Sequence, residues 1–255
     1  MSIHELVILF FLFFIGSCFG SFLNVVIYRV PKKMSIVRPA SHCFACKEPI
    51  QIIDNIPILG YFKLNGKCRN CGAEFASRYA FVELITGVLT LCIYMIYGWN
   101  DTFLVYLSLT YLLIAMTFVD IDHLIIPNGF VITGLLILII SVMMDWVAID
   151  WQDAMSGAFV FAGFLFAIGL IGQFILGKES IGFGDVKLGL VLGGFLGTEY
   201  SILALYLSFA ISAIVIFVML GSKLIDKNAK IPFGPYLAAG TLIALFTQTP
   251  YGGNY

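Results

Sequence analysis

Long apolar runs separated by short polar segments extend along almost the whole chain. Eight runs contain no Asp, Glu, Lys or Arg, and they cover residues 6–28, 84–100, 102–119, 123–144, 154–177, 188–198, 200–222 and 231–255. Because a helix that crosses a bilayer needs about 17 to 25 apolar residues, seven of these runs are long enough. The sixth is shorter and reaches about 14 residues if its helix starts at Asp185. The pattern predicts an all-α polytopic membrane protein with about eight transmembrane helices.

The amino-acid composition supports a membrane protein. Hydrophobic residues make up 60% of the 255 residues, and charged residues only 11%. A soluble domain of this length would need a much larger charged surface. We therefore predict that the lipid bilayer is a partner of this chain, and we expect no nucleic-acid partner.

Lysine and arginine are distributed unevenly along the chain. Nine of the fourteen lie in residues 29–78, and the other five, at positions 178, 187, 223, 227 and 230, fall near the start of the sixth run and between the last two. With eight spans, all these segments lie on one side of the membrane, and the positive-inside rule makes that side the cytoplasm. Both termini are then outside. The first run is followed, not preceded, by positive charges, so we interpret it as a membrane helix and not as a signal peptide.

These boundaries divide the chain into three predicted parts. Residues 1–28 form the first transmembrane helix, residues 29–79 form a polar cytoplasmic insert, and residues 80–255 form a membrane core with seven helices. Within the core, Gly189, Gly193 and Gly197 recur at a spacing of four residues. Small residues at this spacing allow membrane helices to approach closely, so we expect them to lie at a helix interface.

The insert contains two C-x2-C pairs. Cys43 and Cys46 form the first pair, Cys68 and Cys71 form the second, and 21 residues separate them. Two chelating pairs at such a spacing are typical of a tetrahedral four-cysteine zinc site. Disulfides or free thiols are the alternatives, and a reducing cytoplasm disfavours disulfides. We predict structural zinc in a zinc-ribbon-like insert, because about 50 residues form too small a core to fold unaided.

Three aspartates lie at the predicted cytoplasmic ends of different helices. Asp120 and Asp122 end the third span, and Asp185 begins the sixth. Two close carboxylates share a proton, so one can act as a general base on water while the other protonates a carbonyl oxygen. That pairing is the chemistry of an aspartic protease. The alternative is structural, because an aspartate at a helix end also serves as a cap or pairs with a lysine such as Lys187.

Several ordered sequence blocks resemble the bacterial type IV prepilin peptidases, the leader peptidase/N-methyltransferase family of G-x-G-D intramembrane aspartyl proteases. The blocks include GSFLNVVIYRVP (20–31), NIPILGY (55–61), GKCRNCG (66–72), DIDHLIIPN (120–128), GFGDVKLG (182–189) and IPFGPYLAAG (231–240). The first catalytic aspartate of this family lies seven residues before the proline of the I-P pair. The resemblance therefore implies Asp120, and not Asp122, as the partner of Asp185.

The resemblance also implies a function and a location. Family enzymes cut a short basic leader from prepilins and pseudopilins at the cytoplasmic face of the bacterial inner membrane. Many then methylate the new N-terminus with S-adenosylmethionine, and the cysteine-containing insert is implicated in that step. No glycine-rich nucleotide-binding loop is recognisable, so methylation is implied by the resemblance alone.

Other residues near the predicted cytoplasmic helix ends are candidates for a substrate or cofactor pocket. They are Asn24, Arg29, Glu83, Glu179, Gly182, Gly184, Lys187, Pro232 and Gly234. Glycines before Asp185 would leave room for an extended peptide, and the glutamates would attract a basic leader. Packing, helix-start chemistry and interfacial anchoring are the structural alternatives for these residues, and the glutamates could instead balance Arg29, Arg78 or Lys178.

Two other classes of protein compete with the peptidase. A non-enzymatic membrane scaffold would use the zinc insert to hold a cytoplasmic partner, and its aspartates would be dispensable. A proton-coupled transporter would carry its carboxylates in mid-span, whereas here they lie at the ends of the spans. We therefore favour the peptidase.

Overall fold

The computed structural model describes residues 3–177, 181–226 and 229–248. Within these ranges the chain is all-α without strands, as predicted. The helices are α1 (Ile3–Arg29), a 3-10 helix (Ile52–Asp54), α2 (Leu59–Lys63), α3 (Arg78–Tyr97), α4 (Asp101–His123), α5 (Asn128–Met143), α6 (Trp151–Leu176), α7 (Phe183–Gly221) and α8 (Gly234–Thr247). The short helices of the insert were not foreseen from the sequence.

Five of these helices are long and apolar enough to cross a membrane, namely α1, α3, α4, α6 and α7, while α5 and α8 are shorter apolar helices. Helix α7 has 39 residues and is interrupted at Gly197, where φ is 67° and ψ is −176°. This backbone conformation is accessible almost only to glycine. The interruption divides α7 into the predicted sixth and seventh segments. The described residues therefore contain the expected eight apolar segments.

Side chains of α6 stabilise the interruption in α7. The Asp153 carboxylate accepts a hydrogen bond from the Thr198 N–H at 2.9 Å, and the Ser156 and Thr198 hydroxyls are 2.7 Å apart. The first N–H groups of a helix have no partner within the helix, so Asp153 caps the second half of α7 from outside.

The chain divides into two compact units, and Met1–Trp99 form the first. Here α1 packs against α3 through small residues. A Cβ atom on Gly20 would lie 2.7 Å from the Glu83 Cα, and one on Gly16 would lie 2.4 Å from the Thr90 hydroxyl. The insert connects the C-terminus of α1 to the N-terminus of α3, and these two helix ends are neighbours.

The second unit comprises Asn100–Tyr255, and α7 is its central helix, packed against α5, α6 and α8. Helices α6 and α7 approach so closely that a Cβ atom on Gly193 would lie 2.2 Å from the Gly157 carbonyl oxygen. The predicted packing role of the glycines at spacing four is confirmed for α7. Helix α4 is the most buried of the long helices and contacts α5 and α8.

A residue in the left-handed helical conformation follows α4 and changes the direction of the chain. Leu124 has φ 54° and ψ 38°, and its N–H donates to the Asp120 carbonyl oxygen at 2.8 Å. Pro127 then precedes the first residue of α5, close to the predicted start of that span. The turn between them carries Ile126 toward the beginning of α7.

Candidate active site and metal centre

The four insert cysteines converge on one point. Their Sγ atoms all lie within 4.8 Å of one another, with 3.7 Å between Cys43 and Cys71 and 3.9 Å between Cys46 and Cys68. Tetrahedral Zn–S bonds of about 2.3 Å place sulfur atoms about 3.8 Å apart, whereas a disulfide requires about 2.05 Å. The donor set and its spacing therefore fit a metal ion.

Backbone N–H groups of the first cysteine pair favour the thiolate form of Cys43. Hydrogen bonds from the Cys46 and Ala45 N–H groups lower the pKa of the Cys43 thiol to about 6. A thiolate is the form that binds metal, so these donors favour ligation at neutral pH. After the second pair, Gly72 has φ 71°, a backbone conformation that glycine adopts without strain.

An ion pair connects the second cysteine pair to the 3-10 helix. Arg69, which lies between Cys68 and Cys71, donates from Nε to the Asp54 Oδ2 at 2.6 Å and from Nη2 to the Oδ1. Asp54 is 3% exposed at its side chain, and Lys63 lies 3.8 Å from it. Hydrogen bonds and charge from Arg69 lower the pKa of Asp54. This bidentate contact stabilises the insert at a point outside the metal site.

Asp120 lies in the last turn of α4, where it is 5% exposed. Its Oδ2 accepts a hydrogen bond from the Gly234 N–H at 2.9 Å, at the first residue of α8. A Cβ atom on residue 234 would lie 2.8 Å from the same oxygen, so only glycine leaves the carboxylate where it is. The FGP segment at the start of α8 therefore holds Asp120 by a backbone donor and by the absence of a side chain.

Asp185 lies in the first turn of α7 and is 9% exposed. Its N–H donates to the Gly182 carbonyl oxygen at 3.0 Å. A Cβ atom on Gly184 would lie 3.2 Å from the Cβ of Ile126, which shows how closely the turn after α4 approaches this segment. The G-x-G-D segment and the end of α4 are therefore neighbours.

The two carboxyl groups, on separate helices, are close enough for the Asp120 charge to act on Asp185. Asp122, two residues along α4, is exposed. The difference follows from helical geometry, because residues two apart point to different sides of a helix. Buried charged groups at membrane depth are costly, so two of them close together are a candidate reaction centre.

The remaining candidates of the second unit have varied surroundings. Lys187 donates to the Asn128 side-chain oxygen at 3.1 Å and lies 5.0 Å from the centre of the Phe183 ring. It therefore connects α7 to the start of α5. Pro232 lies two residues before α8. Glu179 lies outside the described residues.

The three candidates of the first unit, Asn24, Arg29 and Glu83, line one cavity between α1, α3 and the insert. Each also makes an internal hydrogen bond, such as that from the Asn24 side-chain amide to the Tyr79 carbonyl oxygen at 3.0 Å. Sequence analysis missed the insert residues of this cavity, including Tyr61 and Phe75. The signal that could have found Tyr61 is its position within the block at 55–61.

The fold and its sites define a multi-pass membrane protein with an insert whose four clustered cysteines fit a metal ion and with two buried carboxylates at helix ends. A model of the type IV leader peptidase family matches residues 107–218, and a model of the bacterial peptidase A24 N-terminal domain matches residues 14–97. The chain belongs to the type IV leader peptidase family. It is accordingly a multi-pass protein of the bacterial inner membrane.

Curated relatives align over most of the chain. A prepilin leader peptidase/N-methyltransferase of Pseudomonas putida is 32% identical over 94% of this chain and 91% of its own length. The enzyme of the same name from Aeromonas salmonicida strain A449 is 34% identical, over 91% of this chain and 88% of its own. A type 4 prepilin-like proteins leader peptide-processing enzyme of Escherichia coli is 32% identical over 91% of both chains. No solved structure gives a significant match to the chain.

Proposed function

We propose that this chain removes the basic leader from type IV prepilins and type II secretion pseudopilins and then methylates the new N-terminus. The observation that carries the proposal is the buried pair of carboxylates, Asp120 and Asp185, on separate helices of the second unit. The names of the relatives, prepilin leader peptidase/N-methyltransferase, support the substrate class and both activities.

The aspartate pair would act as a general acid and a general base. One carboxylate takes a proton from water as the water oxygen attacks the scissile carbonyl carbon, and the other carboxyl group gives its proton to the carbonyl oxygen. Collapse of the tetrahedral intermediate breaks the C–N bond. The first group gives its proton to the leaving amine, and the second takes back the proton from the former carbonyl oxygen. The Gly234 N–H keeps the Asp120 carboxylate in position during this cycle.

The reaction would take place at the cytoplasmic face. Nine of the fourteen lysines and arginines lie in residues 29–78, and such clusters stay in the cytoplasm. With eight apolar segments, the ends of α4 and α8 that meet at Asp120 fall on that same side, and both termini fall outside. The basic leader of a prepilin would be found in this compartment.

The insert would hold zinc through Cys43, Cys46, Cys68 and Cys71, where it staples a segment too small to fold alone. For the second activity, S-adenosylmethionine would supply a methyl group that the amine nitrogen takes, with release of S-adenosylhomocysteine and a proton. The role of this chain's residues is then to bind the methyl donor and to orient the amine.

The aspartate pair is tested by Asp120→Asn and Asp185→Asn with a co-expressed prepilin. We expect each variant to lose leader cleavage by at least about 10³-fold, because asparagine cannot take the proton from water. Intact-mass spectrometry of the prepilin reads leader loss and methyl addition together.

Asp122→Asn is the matched control, since it makes the same change on the exposed side of the same helix end. It should cleave at the rate of the unmodified enzyme. Normal processing by either Asp120→Asn or Asp185→Asn would contradict the assignment and favour a non-enzymatic scaffold, for which cysteine substitutions alone should lose partner binding.

A further inference from the structure

A cavity of about 540 Å³ lies in the first unit, enclosed by the C-terminal half of α1, the first turns of α3 and the insert. Cavities of this size take ligands as large as a nucleoside with a side chain. The peptidase chemistry proposed above uses none of the residues around it, because both catalytic aspartates belong to the second unit.

Aromatic rings from three different segments line this cavity. Tyr28 comes from α1, Tyr61 and Phe75 come from the insert, and Tyr79 comes from α3. Gly66, with φ 68°, also lines it, and a Cβ atom there would lie 2.8 Å from the Tyr61 hydroxyl oxygen. Aromatic walls favour a flat ring such as a nucleobase, which stacks on them.

Most charged groups of the cavity already have protein partners. Arg29 is buried and donates to the Ser35 and Pro39 carbonyl oxygens at 2.9 and 2.7 Å. Asp54 pairs with Arg69. Lys67 lies 3.3 Å from the Glu74 carboxylate on the surface.

Glu83 differs from these groups. It is half-buried, its Oε2 accepts the Ile58 N–H at 2.6 Å, and in the part of the chain that the structure describes no lysine or arginine lies within ion-pair distance of it. A carboxylate in such a place favours a cationic ligand, because a charge held away from water interacts strongly with an opposite charge.

The contact of Glu83 also holds a strained turn. Ile58 has φ 64° and ψ −55°, and the Leu59 N–H donates to the Pro57 carbonyl oxygen at 2.6 Å, which together make a γ-turn of the rare positive-φ kind. A β-branched residue in this conformation is costly and persists only where the surroundings impose it. Glu83 thus fixes the insert against α3 at the cavity wall.

We propose that this cavity binds S-adenosylmethionine, with Glu83 facing the positively charged sulfonium end and the aromatic wall, Tyr61 included, stacking on the adenine. The proposal rests on the N-methyltransferase activity proposed above, and it assigns that activity to the first unit. The exposed side chain of Lys47, which also lines the cavity, suits the carboxylate of the ligand's amino-acid tail.

The test compares two ligands that differ in charge. S-adenosylmethionine carries the sulfonium, whereas S-adenosylhomocysteine has a neutral sulfur and the same adenosine. Titration calorimetry with the full-length, zinc-loaded protein in detergent should give an affinity for S-adenosylmethionine that Glu83→Gln lowers about tenfold, while the affinity for S-adenosylhomocysteine changes less than about twofold. Glutamine keeps an oxygen that can accept the Ile58 N–H, so the turn is preserved.

Two further variants complete the comparison. Tyr61→Leu removes the stacking ring and should lower the affinity for both ligands about tenfold. Glu48→Gln removes one negative charge from an exposed position of the insert that does not line the cavity, and both affinities should be unchanged. Zinc content and the thermal midpoint of each variant report whether it is folded.

Photo-crosslinking of S-adenosylmethionine to the unsubstituted protein does not depend on any variant folding. The label should map to peptides within residues 21–34 or 41–83, which contain all the residues that line the cavity, and a label elsewhere would overturn the site. Unchanged affinities in Glu83→Gln and Tyr61→Leu would overturn it as well, while leaving N-methylation in place. If the unsubstituted protein binds neither ligand, both the cavity and the methylation step are wrong, and leader loss by mass spectrometry still tests the peptidase separately.

Discussion

The four cysteines of the insert and the aspartate pair differ in how the chain brings their groups together. The cysteines belong to two short chelating pairs, and one bound ion can collect them while the rest of the insert remains irregular. The aspartates come from α4 and α7 and are about 60 residues apart in sequence. They come near enough to interact electrostatically only because the helices of the second unit pack in one arrangement.

The two regions consequently depend on different interactions. The insert combines a cysteine cluster that fits a metal ion with a few polar contacts such as that between Asp54 and Arg69. The second unit owes its structure to close backbone contacts, as between Gly157 and Gly193, and to backbone donors such as the Gly234 N–H. Changes that harm one region should therefore leave the other largely intact.

Removal of the metal should have the largest effect. Chelation, or Cys68→Ser, is expected to unfold the insert, because metal binding supplies about 10 kcal/mol of folding free energy in small zinc modules. Hydrogen exchange measured by mass spectrometry should show lost protection in residues 41–74 and unchanged protection in α4 to α8. Cys92→Ser, in α3 and outside the tetrad, is the control. Equal protection of residues 41–74 with and without metal would show that the metal does not stabilise the insert.

Gly197→Ala should damage the second unit alone. Alanine would adopt a strained positive φ, and its Cβ would lie 2.1 Å from the Asp153 carboxylate that caps Thr198. We expect a loss of about 3 kcal/mol in the free energy of unfolding, measured in detergent with a denaturant. Gly163→Ala on α6, where a Cβ meets no atom within 4 Å, should not lose stability. Equal stability of the two variants would show that the interruption in α7 is dispensable.

Gly234→Ala should lower the rate of leader cleavage without lowering the stability of the protein. Its Cβ would lie 2.8 Å from the Asp120 Oδ2 and would displace that end of the side chain. Because a reacting group moved by about 1 Å can lose about 10²-fold in rate, we expect leader cleavage to fall by about that factor with a nearly unchanged thermal midpoint. Gly129→Ala, in open space at the start of α5, should cleave normally. Full activity of Gly234→Ala would argue against Asp120 as a reacting group.

Asp54→Asn should have the smallest effect, and it should depend on pH. Arg69 lowers the pKa of Asp54 in the folded insert, so the pair stabilises the insert above the ordinary aspartate pKa of about 4 and loses this contribution as the pH falls through the lower folded value. The thermal midpoint of Asp54→Asn should lie below that of the unsubstituted protein at neutral pH, and the two should converge in acid.

Glu74→Gln is the comparison for that variant. It breaks the exposed pair with Lys67, and exposed pairs contribute little. A difference between Asp54→Asn and the unsubstituted protein that persists unchanged below about pH 3 would show that the ionised pair is not the cause.

Much of the fold was predictable because membrane helices can be recognised in a sequence by their length and hydropathy. Some helix boundaries could also be predicted. Pro127 directly precedes α5, and the predicted break before residue 200 falls at Gly197. The helices of the insert were not predicted, since α2 has five residues and no period to detect.

Among the site residues, the cysteine tetrad followed directly from spacing, and the structure brings its sulfur atoms together. The choice between Asp120 and Asp122 could not be made from local chemistry, because both are aspartates at the same helix end. Burial of one and exposure of the other depend on how α4 rotates against α8. Asn24, Arg29 and Glu83 were predicted within one set of nine pocket candidates, and nothing in the sequence indicated that these three share a cavity of their own.

The sequence by itself determined the membrane class, the eight apolar segments and the four-cysteine site, because lipid requires long apolar helices and a metal ion requires a fixed set of close ligands. Tertiary structure alone decided which aspartate is buried, that Gly234 holds it, and that Glu83 faces a cavity without a cationic partner among the described residues. These features arise from contacts between segments far apart in the chain, and their geometry depends on how whole helices pack and not on any local pattern.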